Sequence, residues 1–221
     1  MATRQLLTEL LALYAAKGGC ELKLESVGGV DVANRVQAGE EFDIVFLASD
    51  AIEKLVVAGH LDGQIKVNLA DSGVALAVRS GAPRPDISTA EAVRAAVLAA
   101  RSISYSTGPS GVALAKLFEA WGIAEEIKPR IVTAPPGVPV GRLVANGQVE
   151  LGFQQLSELI HLEGITLLGN LPADIQITTI FSAAVSCASA HKLQAQTLLA
   201  FLASEQAAAA IRRQGMAPAS H

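Results

Sequence analysis

Ser106, Thr107, Gly108 and Ser110 stand in the run "SISYSTGPSGVALAKLF", residues 102–118, between a short β-like stretch and an amphipathic one. Hydroxyls and amides at such a place can ring an anion, because about four backbone N–H groups at a helix start lack intrahelical partners and the dipole favours negative charge. The same residues also make an ordinary cap, with Ser110 or Thr107 as N-cap, Pro109 in the first turn and the glycines allowing the bend. Two other stretches repeat the order of strand, small-residue loop and helix. "ESVGGVDVANRV" (25–36) would present the amides of Gly28, Gly29 and Val30, and "TAPPGVPVGRL" (133–143) those of residues 137–142. Arg4, in the first turn of helix one, and Arg142, one turn into a later helix, could pair bidentately with a carboxylate or other oxyanion. A solvated surface position is the commoner one for each. Gln154 and Gln155 follow the strand "VELGF" and can offer amide donors, although Gln155 also fits an exposed helix start.

Other chemistries find little support. There is no GxSxG elbow, no HExxH and no Walker A sequence, and "GPSG" lacks the lysine and spacing of a phosphate loop. His60, His161, His191 and His221 have no companion at metal-ligand spacing, so neither a metal nor a cofactor is expected. Asp43 and Asp50 bracket a strand, where they are expected to satisfy backbone groups, Asp50 as a helix cap. Cys20 and Cys187 fall in strand-like runs without CxxC spacing and are expected as two buried thiols, with a long-range disulfide as the alternative.

The elements that must position these residues alternate. Residues 3–17 place Leu6, Leu7, Leu10, Leu11 and Tyr14 on one helical face, closed by Gly18-Gly19. "CELKLE" reads as a strand, "VANRVQAG" as a short helix, "DIVFLA" as a continuous apolar strand, and 50–58 as a helix. That order calls for a parallel sheet covered on both faces. A strand at 73–80 leads through the proline-rich "GAPRPDIS" to a second alternating series: helix 89–100, strand 102–106, helix 111–121, strand 130–134, helix 138–146, strand 149–153, helix 155–161 and strand 165–168. A long strand, "ITTIFSAAVSCAS", and an alanine-rich helical region from about 191 to 213 close the chain. The chain has 221 residues, enough for two lobes of about 100 residues each with real cores. Net charge is −4 without a block of Lys or Arg, which gives no footprint for nucleic acid. No run reaches the roughly 20 apolar residues that span a bilayer, so membrane insertion is not expected.

The segments "VGGVDVANRVQAGEEFDIVFLASDAIEKLVVAG", "SGVALAVRS", "STGPSGVALAKLFEAWGI", "VANGQVELGFQQLSEL" and "LLAFLASEQAAAAIRRQGM" together resemble the type II periplasmic solute-binding proteins, and within them the molybdate-binding proteins of ABC transporters. The resemblance implies an α/β fold of two lobes, each a mostly parallel sheet flanked by helices, joined by two linking strands. Residues 1–76 plus 178–221 would form lobe one and 77–177 lobe two, with the ligand cleft between them. It further implies a small anionic ligand bound without metal, an ABC permease as partner, a monomer, and a periplasmic location. With no signal segment in residues 1–17, a cytoplasmic protein is expected if Met1 is the true start. The expected ligand-binding residues are Gly29, Val30, Ser106, Thr107, Ser110 and Gln155, with Arg4 and Arg142 for charge neutralisation. Three hydroxyls usual in molybdate binders do not match: one place falls on or before Met1, another on Gly29, and a tyrosine position on Gln155. Each missing donor would leave an anion oxygen unpaired at roughly 1 to 3 kcal/mol, which brings a small carboxylate level with molybdate. The scaffold also resembles that of aconitate isomerase. Two functions follow as expectations, an anion-binding component of a transporter and an isomerase of a small polycarboxylic acid. For the second, Tyr105 or a loop aspartate could serve as base.

Overall fold

The computed structural model describes residues 2–135 and 138–219. In chain order the elements are α1 (Arg4–Ala16), α2 (Gly29–Gln37), β1 (Ile44–Ala48), α3 (Ser49–Val57), β2 (Leu61–Arg79), α4 (Ala90–Ala99), β3 (Ile103–Tyr105), α5 (Pro109–Ala120) and α6 (Ala124–Ile127), the last running into a 3-10 turn at Lys128–Arg130. There follow α7 (Val140–Ala145), β4 (Leu151–Gln155), α8 (Leu156–Leu159), β5 (Ile165–Asn170), β6 (Thr178–Ser186), α9 (Lys192–Leu202), α10 (Glu205–Arg213) and β7 (Ala217–Pro218). The chain divides into two compact units, Met1–Ser72 with Thr179–His221, and Gly73–Thr178.

In the first unit β1 pairs antiparallel with β6, β6 neighbours β2, and β7 pairs with β2 through Ala70 and Asp71. Alternate strand residues face opposite ways, and β6 shows it directly. Ala183 and Val185 pack with Leu6, Leu7 and Leu10 of α1 and with Leu198, Leu199, Leu202 and Ile211 of α9 and α10, whereas Ala184 packs with Val36, Ile52 and Leu55 of α2 and α3. The sheet is thus covered on both faces. Burying each of those leucines contributes about 1.5–3 kcal/mol relative to leaving it in water.

The second unit is built on the last third of β2. Val74, Leu76 and Val78 face a core containing Val93, Val97, Leu114, Phe118, Leu151 and Phe153, while Ala75 and Ala77 face Leu159 on the other side. β3 and β4 run parallel, with Tyr105 opposite Phe153, and Ile131 adds a parallel bridge to Ile103. β2 is antiparallel to both β4 and β5. Parallel pairing therefore holds where a helical crossover joins the strands; the strand that links the units runs against its neighbours.

Several sequence expectations are corrected here. "CELKLE" forms no strand: residues 20–28 have no regular secondary structure, and none of the described strands pairs with them, so the alternating pattern lacks the hydrogen-bonding partner that makes a strand. The strand expected at 73–80 begins much earlier, at Leu61, and runs 19 residues. Asp50 lies in the first turn of α3, and Ala48 occupies the N-cap. The terminal helical region is two helices, separated at Ala203-Ser204. Cys20 and Cys187 are free and exposed rather than buried, because neither lies within a strand: Cys20 is on the unpaired 20–28 segment and Cys187 follows the end of β6.

Candidate functional site

The loop between β3 and α5 does not use its hydroxyls as caps. Gly108 is the N-cap of α5, Pro109 opens the helix, and no side chain among the described residues caps it. Instead Ser106 Oγ and Ser110 Oγ lie 3.1 Å apart, at the long end for an O–H···O contact. Two hydroxyls that bond each other use only one of their two protons, so the pair keeps a donor for a guest. Ser110 is buried and Ser106 half-buried, whereas Thr107 is exposed. Gly111 makes this geometry possible. A Cβ there would stand 1.5 Å from the Ser106 carbonyl oxygen, so only glycine lets the helix start close beneath the loop.

Because β3 and β4 are parallel, their C-terminal ends share one edge of the second unit's sheet. Gln154 and Gln155 end β4 there, 4% and 5% exposed. Gln154 Oε1 accepts a hydrogen bond from the Gly141 N–H at 2.9 Å. Its amide nitrogen serves the Glu158 side chain, one turn further on. Burial pushes the Glu158 carboxyl above its ordinary range, and the Gln154 hydrogen bond works in the opposite direction. Ser157, also buried, has a hydroxyl with no hydrogen-bond partner among the described residues. Sequence reasoning gave Glu158 and Ser157 no role. The available signal was the four-residue spacing from Gln154 to Glu158, easily taken for an exposed helix pair.

The remaining candidates are placed as follows. Gly29 is the first residue of α2, after the N-cap Gly28, and Val30 is 68% exposed. The Asp31 carboxylate stands at the same helix start, 3.0 Å from where a Cβ on Gly28 would be, and supplies negative charge there itself. Arg4 is exposed and lines a hollow of about 310 Å³ in the first unit with Thr8, Leu11, Leu22, Leu24 and Ser26. Arg142 is exposed on α7 and borders a separate hollow of about 340 Å³ with Asn146, His161 and Glu163. Neither hollow includes a residue of the Ser106–Ser110 loop. Of the loop 137–142, Gly137 lies outside the described residues. Tyr105 packs edge-on against Phe118, with ring centroids 5.8 Å apart, and burial, with Glu119 secondarily, raises its phenol above the ordinary value. A phenol so shifted stays protonated at neutral pH and is a poor base. Among the described residues no group of His, Cys, Asp or Glu could hold a metal ion, and no helix is long and apolar enough to cross a membrane.

This architecture is that of a solute receptor, and the chain belongs to the bacterial extracellular solute-binding protein family, whose model matches residues 1–217. Its fold is the type II periplasmic one. The periplasmic molybdate-binding protein of Azotobacter vinelandii superposes with a TM-score of 0.83 at 20% identity, covering 99% of this chain and 96% of that one. The substrate-binding domain of a putative molybdenum ABC transporter from Clostridium difficile superposes at 0.77 and 13% identity, with the same coverages. In sequence, the chain is 40% identical over 190 residues to aconitate isomerase from a Pseudomonas species, which is 85% of this chain and 71% of the relative.

Proposed function

We propose that the protein binds a small polycarboxylate at the Ser106–Gly111 loop and the end of β4. The observation that carries this reading is the Ser106–Ser110 hydroxyl pair, which sits at the open N-terminus of α5 without capping it. A carboxylate oxygen placed there would accept from a hydroxyl and from first-turn amides, and Gln155 lies buried at the same sheet edge. A carboxylate is favoured over molybdate for two reasons. The hydroxyl-bearing positions of molybdate binders are occupied by Gly29 and Gln155, and the 40% identical relative is named for a tricarboxylic acid. As a family member the protein would hand its ligand to an ABC permease in the periplasm, acting as a monomer.

The double variant Ser106→Ala, Ser110→Ala tests the site. Losing the donor that the pair keeps for a guest, at roughly 1–3 kcal/mol, should weaken polycarboxylate binding about tenfold, and the melting temperature should hold. Calorimetry on aconitate, citrate and molybdate reads the result. Unchanged affinity for all three would remove the loop from the site.

A second reading, an isomerase of the same ligand class, is favoured by the 40% identity to aconitate isomerase over 85% of the chain. An amide-lined pocket that holds a carboxylate also stabilises the charge of an enediolate-like intermediate. Ultraviolet absorbance of cis- and trans-aconitate incubated with the protein separates the two readings.

A further inference from the structure

An isomerase of this kind needs a group that takes a proton from carbon and gives it back, and we infer that Glu158 is that group. The inference rests on the isomerase reading above and names its proton carrier. Among the described residues two half-buried carboxylates are raised in pKa by burial, Asp71 and Glu158. Asp71 belongs to the first unit, on β2 opposite Ala217. Glu158 lies on α8, immediately after β4, at the sheet edge that also carries the Ser106–Ser110 pair. The anion-binding groups and the acid therefore come from the same end of two adjacent parallel strands.

Its surroundings hold it in a defined orientation. The backbone N–H of Gly141 fixes Gln154 Oε1, which turns the Gln154 amide nitrogen toward the Glu158 carboxylate. Gly141 is closely packed, since a Cβ there would meet the Leu162 and Leu159 side chains at 2.5 and 2.8 Å. Burial destabilises the carboxylate form and so makes it a stronger base than a solvated glutamate.

The step is a 1,3-proton shift and needs no co-reactant. The carboxylate removes a proton from the substrate methylene. The C–H electron pair moves into the allylic system, and its negative charge spreads onto the adjacent carboxylate as an enediolate, held by the hydroxyl and amide donors. The Glu158 carboxylic acid then returns the proton to the far allylic carbon. The double bond has moved by one position, its geometry is reset, and the enzyme is unchanged.

The test uses the full chain with trans-aconitate in D₂O, following absorbance and, by proton NMR, deuterium entry at the allylic carbons. Glu158→Gln should lower kcat and deuterium entry about a hundredfold or more, in line with the usual contribution of a general base. The calorimetric Kd for trans-aconitate should stay within threefold, a split that a merely structural role would not produce. Should Glu158→Gln fail to fold, Glu158→Asp keeps the charge but withdraws it by one methylene, and it should lose kcat at least tenfold at unchanged Kd. A wild type that turns over together with a Glu158→Gln protein within threefold of it overturns the assignment and leaves the isomerase reading standing. A wild type that binds trans-aconitate yet neither isomerises nor exchanges it overturns both.

Discussion

Two glycines of the candidate loops differ in what they demand. At Gly29 a Cβ would meet only Leu47 Cδ2, at 3.5 Å, an ordinary contact, so packing does not require glycine there. At Gly111 the Ser106 carbonyl would lie at 1.5 Å, a separation no side chain survives. Gly111→Ala must therefore push α5 away from the loop and part the Ser106 and Ser110 hydroxyls. Overpacking of this sort costs about 1–3 kcal/mol. Urea unfolding should show that loss, and calorimetry should show aconitate affinity falling at least tenfold. A variant unchanged in both would mean the loop yields freely and the hydroxyl pair is not held by α5. The charged side chains of the first unit behave differently from these buried groups. Arg35 is bound by both Glu25 and Glu40, and Lys23 with Arg35 holds the exposed Glu25 carboxyl down at about 2. That pairing leaves Arg35 little charge to offer a ligand, and exposed pairs of this sort add little stability.

The second unit's helices are organised around Phe118 of α5. Its ring is fully buried and contacts Tyr105, Trp121 and Phe153 at centroid distances of 5.8, 6.0 and 5.8 Å. Phe118→Ala should cost about 3–5 kcal/mol, and because Tyr105 adjoins Ser106 the cavity should also loosen the site. A denaturant midpoint unchanged from wild type would contradict this packing. Elements whose pattern is local were legible in the sequence. The apolar stripe of Leu6, Leu7 and Leu10 marked α1, and the run "IVFLA" marked β1. What failed depended on partners far along the chain. "CELKLE" has the alternation of a strand but no neighbour among the described ones, while residues 61–72, broken by Asp62, Gly63 and Asn68, pair nonetheless, with Asn68 Oδ1 accepting from Ser182 Oγ at 2.8 Å. The site shows the same division. Ser106, Ser110 and Gln155 were visible as hydroxyls and amides beside a helix start. Glu158 was not, because its interest lies in burial and in a hydrogen bond to Gln154 that only the fold creates.

The two units differ in how the chain supplies them. Gly73–Thr178 is continuous and contains every residue of the Phe118 core, whereas the first unit is assembled from both ends of the sequence. A fragment of residues 73–178 should fold alone with one cooperative thermal transition. A fragment of residues 1–178 should show that same transition and nothing more, since it lacks β6, α9 and α10. A second transition in the longer fragment would show that α1 to α3 close without them. The order in time follows from this arrangement. A ribosome or translocation channel delivers the polypeptide from its amino end, so the inserted half matures while Leu6, Leu7 and Leu10, made before it, still await Leu198, Leu199 and Ile211. For that interval α1 is greasy and without shelter, which makes the nascent protein a natural client for a holding chaperone.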